Sequence, residues 1–200
     1  VLNAGVCQPG PLIEQSDEQV EEMLALNVRA TTTLLRRFGA SLASAGNGGR
    51  ILVIGSSAGA APGVPGVSVY AASKAYLRSV AAGARAELRP AGVSVTCALP
   101  SAVDTEFAAR SGLERSTIFS LPALRSLGGI VLSAEAVATH AVRAALKGKA
   151  EVVPGLLPRL YVGLSDVRLL PAATSRGVAA FSFATAPIAA RRSSSEAICD

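Results

Sequence analysis

The run Ile51-Leu52-Val53-Ile54, bounded by Gly49 and Gly55, constrains the fold more than any other feature of the chain. Its consecutive apolar residues, mostly β-branched, leave no polar face, so the strand they form must be covered on both sides. A second such run, Val93 to Leu99, closes at Pro100. Between the two lie a Gly/Ser/Pro loop from Gly55 to Gly66 and a helical pattern from about Val69 to Leu88, ended by Pro90 and Gly92. Two buried strands joined by a helix imply a right-handed βαβ unit and a parallel sheet with helices on its faces.

The rest of the chain follows this alternation. Val1-Leu2 stops at Asn3-Ala4-Gly5, a strand end and turn. Ser16, followed by Asp17 and Glu18, opens a helical pattern that runs to about Ala45 and breaks at Asn47-Gly48-Gly49. Residues 101 to 132 read as short helical pieces and loops. Ser133 and Glu135 open a further helix that ends near Lys147-Gly148-Lys149, and Glu151-Val152-Val153 reads as a last short strand. The segment from Leu156 to Leu170 is amphipathic, but Pro158 speaks against a clean helix. From Pro171 onward Ala, Ser and Thr dominate, and a disordered tail is expected. Residues 1–155 thus form one α/β domain, and 156–200 an extension.

Composition narrows the function classes. With 50% hydrophobic and 16% charged residues, the chain is globular rather than disordered. Aromatics make up 4% and there is no Trp, so a base-stacking surface is hard to build. The net charge of +5 comes from scattered Arg, without a dense basic run, and no nucleic-acid partner is expected. Three distant cysteines and a single His supply neither a disulfide framework nor a metal site. No secretory signal and no uninterrupted apolar stretch of membrane-spanning length is visible. A reducing, cytoplasmic setting is the default. Association with a membrane surface has only the amphipathic 156–170 segment behind it.

Ligands of parallel sheets bind beyond the carboxyl ends of the strands. That rule points to Asn3–Val6, Gly55–Gly59 and Pro100–Thr105. Tyr70 and Lys74 open the helix after the second of these loops, four residues apart and so on one helix face. A phenol with an ordinary pKa of roughly 10 is a poor base at neutral pH, and a neighbouring ammonium and helix N-terminus both favour its anion. Such a pair suits proton transfer. Ser57 stands 13 residues before Tyr70. Taken singly, each has a plainer reading: a turn serine, a surface tyrosine, a solvated lysine. Lysine is scarce, however, with only Lys74, Lys147 and Lys149 in the chain.

Taken together and in order, LNAG at the start, Asn27 in LNVRA, Ser57 in VIGSSAG, Tyr70 and Lys74 in VYAASKAYL, and PSAVDT at Pro100–Thr105 resemble the short-chain dehydrogenase/reductase family. The resemblance covers roughly residues 1 to 150, with a looser likeness at GKAEVVPGLL. It implies a Rossmann-like, doubly wound parallel sheet and hydride transfer between NAD or NADP and a small-molecule carbonyl or alcohol. Tyr70 would move the proton, Ser57 orient the substrate oxygen, Lys74 lower the Tyr70 pKa and bond the ribose, and Asn27 support a water relay to Lys74. Asn3, Ala4 and Gly5 would lie on the adenosine side of the cofactor, and Pro100, Val103 and Thr105 at its nicotinamide end. Ser101 departs from the glycine usual after that proline. The family's Gly-rich turn and about three strands and two helices precede Asn3 in the full pattern, so the sheet is expected to be incomplete. The resemblance also implies a homo-oligomer when full length. Phe107, Leu113, Ile118, Phe119, Leu121 and Leu124, after Thr105, hint at an apolar substrate. The alternative is a catalytically silent oligomerisation or binding module.

Overall fold

A computed structural model describes residues 1–113 and 129–166. The expected strands form a parallel sheet. β1 (Gly49–Ile54) pairs with β2 (Val93–Ala98) along its whole length, and β2 pairs in turn with β5 (Glu151–Val152). On the outer side of β1, Leu2 makes a parallel bridge to Val53, with bonds from Leu2 N to Leu52 O and from Ile54 N to Leu2 O. Two three-residue strands, β3 (Ala102–Asp104) and β4 (Val131–Ser133), pair in parallel beside this sheet. They lie within the stretch expected to hold only helical pieces and loops.

Alternation along each strand divides the core into two layers. Ile51, Val53, Val93, Val95, Cys97 and Leu99 point to one face, where they meet Leu35 of α2 (Thr31–Ala45) and Leu77 and Ala81 of α3 (Ser68–Leu88). Leu52 and Ala98 point to the other, against Ala141 and Ala145 of α5 (Ala134–Leu146). This is the helix–sheet–helix stack that a strand without a polar face demands. Each fully buried Val or Leu here contributes about 1.5–3 kcal/mol relative to exposure. Thr96, buried in the sheet, keeps its hydroxyl satisfied by donating to Lys149 O at 2.6 Å.

Local chemistry sets the helix ends. α1 (Asp17–Met23) begins with a capping box, in which Ser16 Oγ accepts from Gln19 N and Gln19 Oε1 accepts from Ser16 N. Between α1 and α2 the helix widens to a π form over Leu24–Ala30, a departure from the uniform helix expected. Such widenings are frequent at functional sites. Asn27 stands fully buried at the middle of this turn. α4 (Glu106–Arg110) follows Thr105, and α5 is capped by Ser133 Oγ accepting from Ala136 N.

Pro158 does not break the last described element. α6 (Leu156–Asp166) is helical with Pro158 as its third residue. In a first turn the missing N–H has no intrahelical acceptor to lose, so the ring is tolerated there. Among the described residues no helix is long and apolar enough to cross a membrane. Cys7 and Cys97 are buried free thiols, and burial pushes both up to about 12. The tail from Pro171 and the apolar residues Ile118, Phe119, Leu121 and Leu124 lie outside the described residues.

The loop that carries Ser56 and Ser57 continues as a 3-10 turn, Ser57–Ala60, packed directly on α3. A Cβ at Gly59 would lie 2.6 Å from Ala75 N and 2.7 Å from Lys74 C. Both contacts are backbone and cannot yield by a rotamer change. Gly59→Ala is therefore expected to lower stability by about 2 kcal/mol, an overpacking effect. A urea midpoint within error of the parent would contradict this packing.

Candidate active site

The carboxyl ends of Leu2, β1 and β2 open into one cavity of about 1590 Å³. Its wall includes Asn3, Ala4 and Gly5, then Ser56 and Ser57, Tyr70 and Lys74, and Pro100, Val103 and Thr105. The three loops named from the sequence thus meet at a single site, because parallel strands deliver all their following loops to one edge. Asn27 is not on this wall. It stands behind it, with Oδ1 accepting from Val6 N and Nδ2 donating to Val6 O, both at 2.9 Å. Its Nδ2 also donates to Ser73 Oγ at 3.0 Å, and Ser73 Oγ donates to Tyr70 O at 2.7 Å. Asn27 therefore ties the strand-end loop to the second turn of α3. Ser73 is a link the sequence reading missed, and its place between Tyr70 and Lys74 was the available signal.

Lys74 is buried, and its Nζ donates to Ile54 O at 3.2 Å. Among the described residues, Ile54 O is the one acceptor for its three N–H bonds. The ammonium lies 5.6 Å from the centroid of the Tyr70 ring. A Cβ at Gly5 would come within 3.2 Å of Lys74 Nζ and 3.1 Å of Asn27 Oδ1, so the bare backbone of Gly5 leaves this corner open. Free donor capacity on a buried ammonium beside a glycine-lined recess fits the hydroxyl-rich edge of a ribose. Burial lowers the Lys74 pKa from an ordinary 10.5 to about 8, while Cys97 and Cys7 oppose that shift.

Tyr70 behaves differently from the sequence-based expectation. Burial pushes its phenol well above the ordinary value, and Cys7 adds to the rise. The opposing influence is a side-chain hydrogen bond with Ser56. One ammonium at this distance does not offset the loss of water around a phenolate in a fully buried site. Burial thus favours the protonated phenol. Phe107 lies against it, with ring centroids 6.2 Å apart.

The two serines differ. Ser57 donates its backbone N–H to Pro100 O at 2.9 Å, which joins the β1 and β2 loops. Ser56 Oγ accepts from Ala58 N at 3.2 Å. Ser56 was not singled out from the sequence. Counting 13 residues back from Tyr70 reaches Ser57, whereas counting forward from the end of β1 reaches Ser56 first.

The remaining wall is mostly apolar. Phe107, Leu113, Leu157 and Pro158 line the cavity, together with Gln8, Cys7 and Tyr161. No cluster of metal-ligating side chains occurs among the described residues.

A three-layer α/β sheet with a buried tyrosine–lysine pair at its carboxyl edge defines the class, and the chain belongs to the short-chain dehydrogenase family. The family model described as short chain dehydrogenase matches residues 1–116. A relative from Mycobacterium tuberculosis, the probable oxidoreductase EphD, is 33% identical over 185 residues, covering 86% of this chain and 30% of its own length. The uncharacterized NAD-dependent oxidoreductase Rv0687 of the same organism is 41% identical over 105 residues, covering 52% of this chain and 38% of its own. Among solved structures, a short-chain dehydrogenase from Sphingobium yanoikuyae in complex with NADPH superposes with a TM-score of 0.68 at 29% identity. That match covers 84% of this chain and 61% of the other. The chain therefore spans about a third of the length of these two curated relatives.

Proposed function

We propose that the protein containing this chain is a nicotinamide-dependent oxidoreductase acting on a carbonyl or alcohol carbon, with Tyr70 as the proton donor and acceptor. The observation that carries this reading is the buried Tyr70–Lys74 pair at the mouth of the sheet, beside free donor capacity on Lys74. The bound cofactor supplies or takes the hydride; every proton and every placement is the protein's. In reduction, Tyr70 passes its proton to the substrate oxygen as negative charge develops there. Lys74, with Asn3, Ala4 and Gly5 along the strand end and Pro100, Val103 and Thr105 opposite, would hold the cofactor. Asn27 ties the Val6 loop to the second turn of α3 through Ser73, and would support a water relay to Lys74. NAD and NADP both remain open as the cofactor.

The second hydroxyl at the substrate oxygen is drawn from Ser56 and Ser57. Both line the cavity, and the family resemblance, with Ser57 thirteen residues before Tyr70, favours Ser57. Removing one donor to a developing oxyanion costs roughly a hundredfold or more in turnover. Ser57→Ala is expected to lose about that much in kcat/KM, and Ser56→Ala less than about tenfold. The reverse order in a steady-state comparison would move the role to Ser56.

The apolar wall formed by Phe107, Leu113, Leu157 and Pro158 supports an apolar substrate. Leu34, Phe38 and Tyr76, exposed on α2 and α3, support pairing of subunits through that helical face.

A further inference from the structure

One strongly anchored charge cluster has no place in the proton chemistry. Arg78 lies on α3 one turn beyond Lys74, which lies one turn beyond Tyr70. Its guanidinium makes two forks. Nε and Nη2 donate to Glu151 at 2.6 and 2.9 Å, and Nη1 and Nη2 donate to Asp166 at 2.7 and 2.6 Å. The three side chains are partly screened, at 21%, 31% and 43% exposure. Arg78 also holds the Asp166 carboxyl below its usual range.

The partners explain what the forks connect. Glu151 opens β5 at the edge of the sheet, and Asp166 is the last described residue of α6. α6 starts just after the turn at Gly155 and presents Leu157, Pro158 and Tyr161 to the cavity, while Val162 on the same helix enters the core. The helix carrying Tyr70 and Lys74, an edge strand and a wall of the cavity are thus joined through one cation. An Arg fork fixes both distance and angle, which a point charge does not.

We propose that Arg78 is a positioning residue that sets the separation between the Tyr70–Lys74 helix and the α6 wall, and so determines how a bulky apolar carbonyl substrate sits against Tyr70. The proposal rests on the carbonyl–alcohol reading above for its substrate, but not for the mechanical link between α3 and α6. Arg78→Lys keeps the charge and loses both forks, and Asp166→Asn removes only the tie to α6. Glu151 remains in place in both proteins, so neither variant strips the sheet edge of its carboxylate.

Two readouts on the full-length polypeptide separate the parts. Hydrogen exchange reports the link without any need for activity. Amides of 156–166 are expected to lose about tenfold or more in protection in both variants, with those of 93–98 unchanged. Steady-state kinetics with one small and one bulky aryl ketone reports the consequence. KM for the bulky ketone is expected to rise about fivefold or more, with kcat and the small ketone's KM within about twofold. Unchanged exchange in 156–166 overturns the proposal whatever the activity. An equal loss for both ketones, or a parallel loss of kcat, also overturns it. If exchange changes as expected but the parent reduces no ketone, the link between α3 and α6 stands and the assigned chemistry falls.

Discussion

Replacing Tyr70 by Phe in the full-length polypeptide is expected to lower kcat for ketone reduction by about a thousandfold or more, with nicotinamide affinity within about threefold of the parent. The size follows from what the hydroxyl does. A ketone that accepts a hydride becomes an alkoxide, a far stronger base than water, and it needs a proton as it forms. In the proposed mechanism Tyr70 would supply it, and burial favours the protonated phenol. The ring itself stays: Phe retains the contact with Phe107 and the packing around Cys7, Met23 and Val67. The deletion therefore acts on chemistry and not on the fold, and equal turnover in parent and variant would remove Tyr70 from the mechanism.

Lys74→Met is expected to abolish turnover and yet to stabilise the fold. Lys74 has a folded-state pKa of about 8 against an ordinary 10.5. At roughly 1.4 kcal/mol per unit, the buried ammonium costs about 3 kcal/mol of stability, and the lost bond to Ile54 O returns about 1 kcal/mol of that to the parent's favour. A net gain of about 2 kcal/mol is expected for the variant below pH 8, where folded and unfolded lysine are both charged. Between pH 8 and 10.5 the folded state releases its proton while the unfolded state keeps it, so the parent's stability rises relative to the variant's and the gap closes. Cys7 and Cys97 act the other way: the folded thiols hold their protons to about 12, so their contribution declines above pH 9 in both proteins. Because Lys74 lowers the pKa of both thiols, the comparison is read below pH 9, where the thiols of folded and unfolded protein are both protonated. Urea unfolding across this range checks the sign, and a variant less stable than the parent at pH 7 would contradict it.

These two residues show what could and could not be read from the sequence. β1, β2 and α3 were legible because an apolar strand with no polar face and a helix after a Gly/Ser/Pro loop have few other uses. The position of Tyr70 and Lys74 on one helix face followed from spacing alone. The Tyr70 pKa did not, because its direction depends on how deeply the ring is buried, and burial is set by residues as distant as Cys7 and Phe107. β3 and β4 were missed because three-residue strands carry too little pattern to separate from loop. The π turn was missed because nothing in the local sequence of Leu24–Ala30 departs from a regular helical pattern, and the bonds of Asn27 to Val6 and Ser73 join segments far apart in sequence. Pro158 misled by type: the objection to proline holds for a helix interior, and α6 has it in the first turn.

Carbonyl reduction with a nicotinamide cofactor at the Tyr70–Lys74 site is open to a direct test. The most direct measurement mixes the full-length polypeptide with reduced NAD or NADP and a graded set of ketones, follows cofactor absorbance, and quantifies the alcohol formed. Alcohol equal to cofactor oxidised is expected, with at least one apolar ketone turned over. Saturable cofactor binding with no alcohol from any ketone, and no oxidation of the matching alcohols, would contradict it and leave a silent binding module.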